Sequence, residues 1–235
     1  MKLKLLKKKV EANGAKSFVF KPEKNIKFLP GQHMYFTLPS LTENNTHLFT
    51  ISVSPTEGNN IQFTTRIREE SEFKQTLNKL SIGEYIEAEG PSGTFIIDEK
   101  EKGPHVLIAG GIGITPFRSI IVYHADKKLS TPIHLIYSNK SPDTTVFRQE
   151  LGKLTKSNDN FNADFIYTNP QTQSKSELNR RIDIKMLNNL IPKTDQAIST
   201  FWVCGPPSFV ASMQSILKNM KINSKKIRTE SFTGY

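Results

Sequence analysis

Glycine, threonine and cysteine fall in two short runs whose spacing suits the binding of a phosphorylated nucleotide. The first is Ala109-Gly110-Gly111-Ile112-Gly113-Ile114-Thr115-Pro116-Phe117, and the second, about ninety residues later, is Cys204-Gly205-Pro206-Pro207. Each follows an apolar, strand-like stretch, residues 106–109 and 201–204. Glycines at such a strand end let backbone N–H groups come close to a diphosphate, at the start of a helix whose dipole favours anions. Taken alone, the first run fits a plain glycine-rich strand-to-helix turn equally well. In this order, each after its strand, the two runs point to one nucleotide site assembled from two strand ends.

Three further segments carry possible ligand chemistry. In His47-Leu48-Phe49-Thr50 the strand period of two puts Phe49 on the face opposite Leu48 and Thr50. Thr64-Thr65-Arg66 sits on the following strand, and Gly90-Pro91-Ser92-Gly93-Thr94-Phe95 has glycines suited to a tight turn or close backbone approach.

The elements that must position these residues show two rhythms. Up to about Glu101 the pattern is short strands, over 4–10, 17–20, 33–38, 48–53, 61–67 and 84–89, with Asn13-Gly14 as a hairpin turn. One helix interrupts them over 72–80, with Phe73, Leu77 and Leu80 at helical spacing and Ser71 as its cap. This predicts a six-stranded antiparallel β-barrel with a short helix. Beyond Gly103 strands over 106–109, 133–137, 163–167 and 201–204 alternate with helices over 116–125, 146–154, 184–190 and 208–219. That alternation predicts a Rossmann-like α/β domain on a parallel sheet, with ligands at the carboxyl ends of its strands. The polar stretch before Gly103-Pro104 separates a domain over 1–101 from one over 102–235.

Composition narrows the chemistry. The single cysteine, Cys204, excludes an internal disulfide and a zinc or iron–sulfur centre held by cysteines of this chain alone, and the five histidines show no ligand spacing. No metal site is expected. No apolar run approaches the roughly 20 residues of a membrane helix, and the first residues lack a signal-peptide core, so a cytoplasmic location is expected; a monomer is the expected assembly. The net charge of +10 draws half its excess from Lys2, Lys4, Lys7, Lys8 and Lys9. Such a balance favours acidic partners, or simply guards a strand edge. No nucleic-acid-binding pattern accompanies it, and no nucleic-acid partner is expected.

With these motifs in view, the chain resembles the ferredoxin–NADP⁺ reductase family of flavoproteins. The resemblance runs through Gly31-Gln32, the R-x-[YF]-[ST] motif at His47–Thr50, G-P-x-G-x-F at Gly90–Phe95, G-G-x-G-x-T-P at Gly110–Pro116, C-G-P-P at Cys204–Pro207, and E-x-F-x-G-Y at Glu230–Tyr235. It implies FAD and NAD(P)H as cofactors. Phe49 would stack on the isoalloxazine and Thr50 would bond near flavin N5. The family arginine is His47 here, so Thr64, Thr65, Arg66 and the helix start at Glu72, Phe73 and Lys74 would carry more of the FAD diphosphate. Gly110, Gly111, Gly113, Thr115, Pro116, Gly205, Pro206 and Pro207 would hold the nicotinamide nucleotide. Cys204 would position the ring without acting as a nucleophile. Thr50, Cys204 and Glu230 are the residues assigned to catalysis, while Phe232 or Tyr235 would cover the second flavin face. Ser138 and Lys140, where relatives read the adenosine 2′ position, lean the choice towards NADPH, with Arg148 assisting. The implied activity is hydride transfer from NAD(P)H to flavin N5, with electrons passed to an acidic carrier such as ferredoxin or flavodoxin. The alternatives are a flavin or ferric reductase with a diffusible acceptor, or the reductase component of a larger redox complex.

Overall fold

Strand β1 (Lys2–Ala12) buries Leu3 and Leu5 and turns its lysines outward, so period-two alternation decides which face meets the core. The structure, a computed structural model, describes residues 1–169 and 180–232. Two compact units are present. The first contains Met1–Ile97 together with Thr115–Asp126, and the second begins with Asp98–Ile114 and resumes at Lys127.

In the first unit β1 pairs with β2 (Ala15–Pro22), and β3 (His33–Thr37), β4 (Thr46–Thr50), β5 (Ile61–Arg66) and β6 (Tyr85–Ser92) complete an antiparallel sheet of order β4-β3-β6-β1-β2-β5. The sheet curls until the chain just after β4 bonds β5, Ser52 N–H donating to Gln62 O at 2.7 Å. Phe18, Phe20, Phe36 and Phe63 fill the interior, with Phe36 and Phe63 ring centroids 4.4 Å apart. Helix α1 (Glu72–Lys79) is capped as expected, the Ser71 hydroxyl accepting from Lys74 N–H, and buries Phe73 and Leu77. Two motifs of this unit pack on each other. A Cβ on Gly31 would lie 2.1 Å from the Phe95 carbonyl oxygen, and one on Gly93 would lie 2.8 Å from the His33 ring.

The second unit is built on five parallel strands in the order β11-β10-β7-β8-β9. Strands β7 (His105–Gly110) and β10 (Thr200–Gly205) are buried at every residue, which is the continuous apolar reading of strands covered on both faces. Strands β8 (Ile133–Asn139) and β9 (Phe161–Tyr167) extend one side, and β11 (Ile227–Ser231) forms the edge on the other. Chain order reverses between β7 and β10, so the switch point lies where Gly110 and Gly205 end their strands.

Helix α2 (Ile114–Asp126) follows β7, but from Thr115 onward it groups with the barrel unit rather than staying with its chain neighbours. Phe117 packs on Phe95, and Ile120 lies beside Gly31. Helix α3 (Arg148–Ser157) starts two residues later than its apolar spacing predicts, because Phe147 adopts a left-handed φ of 59°. Helix α4 (Ile184–Leu190) has its expected bounds, and α6 (Pro207–Asn219) begins one residue early. The short α5 (Lys193–Ile198) and the strand β11 were not expected from the sequence.

At the amino end of the parallel sheet His105 is 1% exposed, and its Nδ1 accepts a bond from Trp202 Nε1–H at 3.3 Å. Burial holds its imidazole below the usual value, against a smaller opposing pull from Glu101. The unfolded chain takes up this proton as pH falls below about 6.5, whereas the native state resists it. Stability is therefore full above that pH and declines below it, towards the depressed native value. We expect the urea midpoint to fall between pH 7 and 5, and the fall to be shallower in His105→Gln. An equal slope in both proteins would contradict this origin.

Candidate functional site

The motif His47–Thr50 lies along β4, whose alternation places its residues differently. Leu48 is exposed, and Thr50 is 5% exposed with its hydroxyl buried and without a hydrogen-bond partner. Phe49 is partly buried, its ring parallel to Phe63 at 4.5 Å and 9°. It thus belongs to the barrel core through one face. His47 packs on Phe73, ring centroids 4.2 Å apart.

Cations gather around the start of α1. Burial first, and the Lys74 ammonium second, keep the His47 imidazole below its ordinary value, so it is neutral at pH 7 and does not replace an arginine charge. Lys74 is itself buried, and burial followed by the nearby Arg68 lowers its pKa. Arg66 ends β5, with Nη1 3.4 Å from Asn13 O. Arg68 was not singled out from the sequence, although the spacing Arg66-Ile67-Arg68 carries the signal. Glu70 offsets part of this charge, lying 3.7 Å from Arg68 Nη1, and the positive charge that remains beside the helix start is an arrangement that an anion relieves. Thr64 and Thr65 are both buried. The Thr64 hydroxyl is shared with Ser17 at 2.7 Å and Ser52 at 3.0 Å, and Thr65 Oγ1 donates to Arg66 O at 3.4 Å. Glu72 is exposed at the first helical position.

In the second unit the two glycine runs form one packed body. A Cβ on Gly113 would lie 2.3 Å from the Cys204 carbonyl oxygen, and Cβ atoms on Gly110 and Gly205 would each meet the Phe209 ring, at 2.7 and 2.8 Å. Only Gly111 of this group, at φ +55°, has nothing within 4 Å of that position. Packing against the Phe209 ring at 110 and 205, and against the Cys204 backbone at 113, therefore accounts for these glycines, and open space is left at 111. The Tyr137 hydroxyl donates to Gly111 O at 2.9 Å and steadies that turn.

Cys204 is fully buried, and burial and then Glu230 push its thiol well above the usual value. It stays protonated and acts as a packed wall. Glu230 sits opposite Cys204 in the β10–β11 register, and Phe232 N–H donates to Gly205 O at 3.0 Å. The resemblance assigned Glu230 to catalysis and Phe232 to covering the flavin, and parallel pairing is what brings both beside this strand end. Tyr235 lies outside the described residues. In the first unit Thr115 and Pro116 are buried at the start of α2. Pro206 is partly exposed and Pro207 exposed.

At the end of β8, Ser138 is partly exposed and Lys140, the next residue but one, is exposed. Between them Asn139 is buried with both amide atoms lacking a partner, and the hydroxyl of Tyr167, its register partner on β9, lacks one too. Neither residue was predicted, since a buried asparagine has no periodic signature. Arg148 is exposed at the start of α3.

Residues 2–97 match the oxidoreductase FAD-binding domain, and residues 107–215 match the oxidoreductase NAD-binding domain. A flavohemoprotein from Oceanobacillus iheyensis is 29% identical over 240 residues, covering 97% of this chain and 58% of that protein. The chain thus spans little more than half the length of that curated relative. The FAD/NAD-binding domain of a nitric oxide dioxygenase from Vibrio cholerae superposes with a TM-score of 0.86 at 21% identity, over 98% of both chains. A ferredoxin NADP⁺ reductase from Neisseria gonorrhoeae, solved with FAD and NADP, gives 0.79 at 19% identity, again over 98% of both. Among the described residues no helix is long and apolar enough to cross a membrane.

Proposed function

Because this chain belongs to the FAD- and NAD(P)-binding oxidoreductases with the ferredoxin–NADP reductase-like fold, we propose that it oxidises NADPH and delivers electrons singly to a separate acidic carrier protein. The buried, partnerless hydroxyl of Thr50 carries this reading. A buried hydroxyl without a partner is costly, and a flavin edge supplies what it lacks. Bound FAD accepts a hydride as a two-electron unit and releases its electrons one at a time.

The residues present fit that cofactor. Thr50 offers its hydroxyl to the flavin ring, and the part of Phe49 left uncovered by Phe63 offers an aromatic surface. Arg66, Lys74 and the backbone N–H groups at Glu72 and Phe73 receive the diphosphate, with Arg68 reinforcing the field. On the nucleotide side Gly111 leaves room for a phosphate oxygen, and Thr115 and Pro116 shape the helix start. Cys204 and Glu230 hold the nicotinamide in place. Ser138 and the exposed Lys140 favour a 2′-phosphate, and the strand ends in no carboxylate that would suit a bare ribose.

For the acceptor, the supporting observation is charge. Lys2, Lys4, Lys7 and Lys9 are exposed along β1 in a chain of net charge +10, which steers an acidic protein. A second reading, a haem protein as acceptor, is favoured by the flavohemoprotein relative. Anaerobic stopped-flow mixing of the FAD-loaded protein with NADPH and NADH tests the first step. Assays with ferredoxin, flavodoxin, a globin, free flavin and ferric chelates then separate the acceptors. A flavin left oxidised by both nucleotides overturns the proposal, and loss of carrier reduction only at high salt supports electrostatic docking.

Replacing Cys204 with serine is expected to lower the limiting rate of flavin reduction about tenfold, while nucleotide affinity stays within about twofold. The smaller oxygen loosens the wall that aligns reacting atoms, and catalysis is sensitive to such misplacement. An unchanged single-turnover rate would remove Cys204 from the site.

A further inference from the structure

Glu57 and Arg118 are separated by 61 residues, yet they form a two-pronged ion pair with Nη1–Oε2 at 2.6 Å and Nη2–Oε1 at 2.8 Å. Arg118 is 7% exposed, and its Nη1 also donates to Ser52 O at 3.0 Å. Ser119 Oγ donates to Val53 O at 2.7 Å, and the Thr56 hydroxyl donates to the Asp126 carboxylate at the far end of α2. Glu57 is held from its own side as well, accepting from Ser54 N–H at 2.6 Å. All of these groups lie in the first unit, and segment 52–57 directly continues the strand that carries Thr50.

Arg118 is buried and Glu57 exposed, and such a pair is a poor source of net stability, since desolvating the guanidinium offsets much of an attraction that solvent already screens on the carboxylate side. An apolar contact would hold a helix on a barrel as well, but it would let the helix slide and rotate. A planar guanidinium gripped at two oxygens and a carbonyl permits neither motion. Thr115 lies one turn before Arg118, so it shares that helix face. The same clasp that fixes Arg118 therefore fixes Thr115 with respect to the Thr50 strand.

We infer that Glu57 and Arg118, seconded by Ser119, are positioning residues for hydride transfer: they lock the helix that begins in the nucleotide loop onto the segment that follows the flavin strand. The inference rests on the function proposed above. Neither side chain is expected to touch either cofactor. Their effect passes through Thr115 and the turn ahead of it.

The test is rapid-mixing reduction of the FAD-loaded protein by NADPH in wild type, Glu57→Gln and Ser119→Ala. Glu57→Gln keeps the side-chain shape but removes the charge and one strong acceptor. It is expected to retain full flavin content and nucleotide affinity within about twofold. Its limiting rate should fall about tenfold, less than the roughly hundredfold loss that a 1 Å misplacement can bring. The long-wavelength absorbance of the nicotinamide–flavin complex should weaken in parallel. Ser119→Ala leaves the ion pair intact and should shift both readouts the same way by about threefold. It carries the test should Glu57→Gln fail to fold. Limiting rate and absorbance unchanged, with only the melting temperature lowered, would overturn the inference and leave the proposed function standing. A wild type that binds FAD but is not reduced by either nucleotide would overturn both.

Discussion

Gly113→Ala is expected to cost at least about 3 kcal/mol of stability, the upper end of what overpacking does, and to disable nucleotide binding. The new Cβ would stand 2.3 Å from Cys204 O, 2.5 Å from Cys204 C and 2.6 Å from Gly205 N. All three are backbone atoms of a fully buried central strand, so no side-chain rotation relieves the clash. The turn 111–113 or the end of β10 must move, and either motion disturbs the site. Gly111→Ala is the control for stability alone, because its φ is +55° and its surroundings are open, while its methyl would fill the space proposed for a phosphate oxygen. Only left-handed strain applies there, about 1–2 kcal/mol. Urea denaturation of both variants, alongside NADPH titration, checks the difference. A Gly113→Ala protein as stable as Gly111→Ala would mean that the two motifs do not depend on contact with each other.

Thr50→Val should act in opposite directions on stability and on rate. Valine keeps the shape but removes the buried hydroxyl that has no partner, so FAD-free protein is expected to gain about 1 kcal/mol. With FAD bound, loss of a donor aimed at the reacting edge should slow reduction by roughly a hundredfold, the effect typical of deleting one such donor. Thermal unfolding without FAD and single-turnover reduction with it are the two measurements. A rate within twofold of wild type would move Thr50 from the reacting edge to the barrel core. Serine at the same position, which retains the donor, should recover most of the rate.

Much of the fold was legible because it follows local periodicity. A rhythm of short strands with Asn13-Gly14 as a turn placed β1 and β2, and helical spacing with Ser71 as cap placed α1. Continuous apolar runs marked β7 and β10 as central strands. Strand β11 escaped because an edge strand of a parallel sheet needs little apolar character. Ile227-Arg228-Thr229-Glu230-Ser231 is mostly polar, and only its pairing with β10 makes it a strand. The late start of α3 rests on one left-handed residue, Phe147, which no spacing rule reveals.

The glycine-rich run and Cys-Gly-Pro-Pro were readable as two strand ends of one nucleotide domain, because residue type and order are local properties. Why glycine is required was not readable. At 110, 113 and 205 the reason is contact with Phe209 and with the Cys204 backbone, and only at 111 is space left open. Likewise the sequence contained Thr50, Asn139 and Tyr167 in plain view, but whether a buried polar atom has a partner depends on every neighbour in three dimensions. The grouping of α2 with the barrel, through Arg118 and Glu57, belongs to the same class. The amino-acid sequence by itself determined most of the elements and the resemblance to a family, since periodicity and short motifs act over a few residues. Tertiary structure alone decided which groups are left unsatisfied and which helix is locked to which strand, since those depend on contacts between residues far apart in the chain.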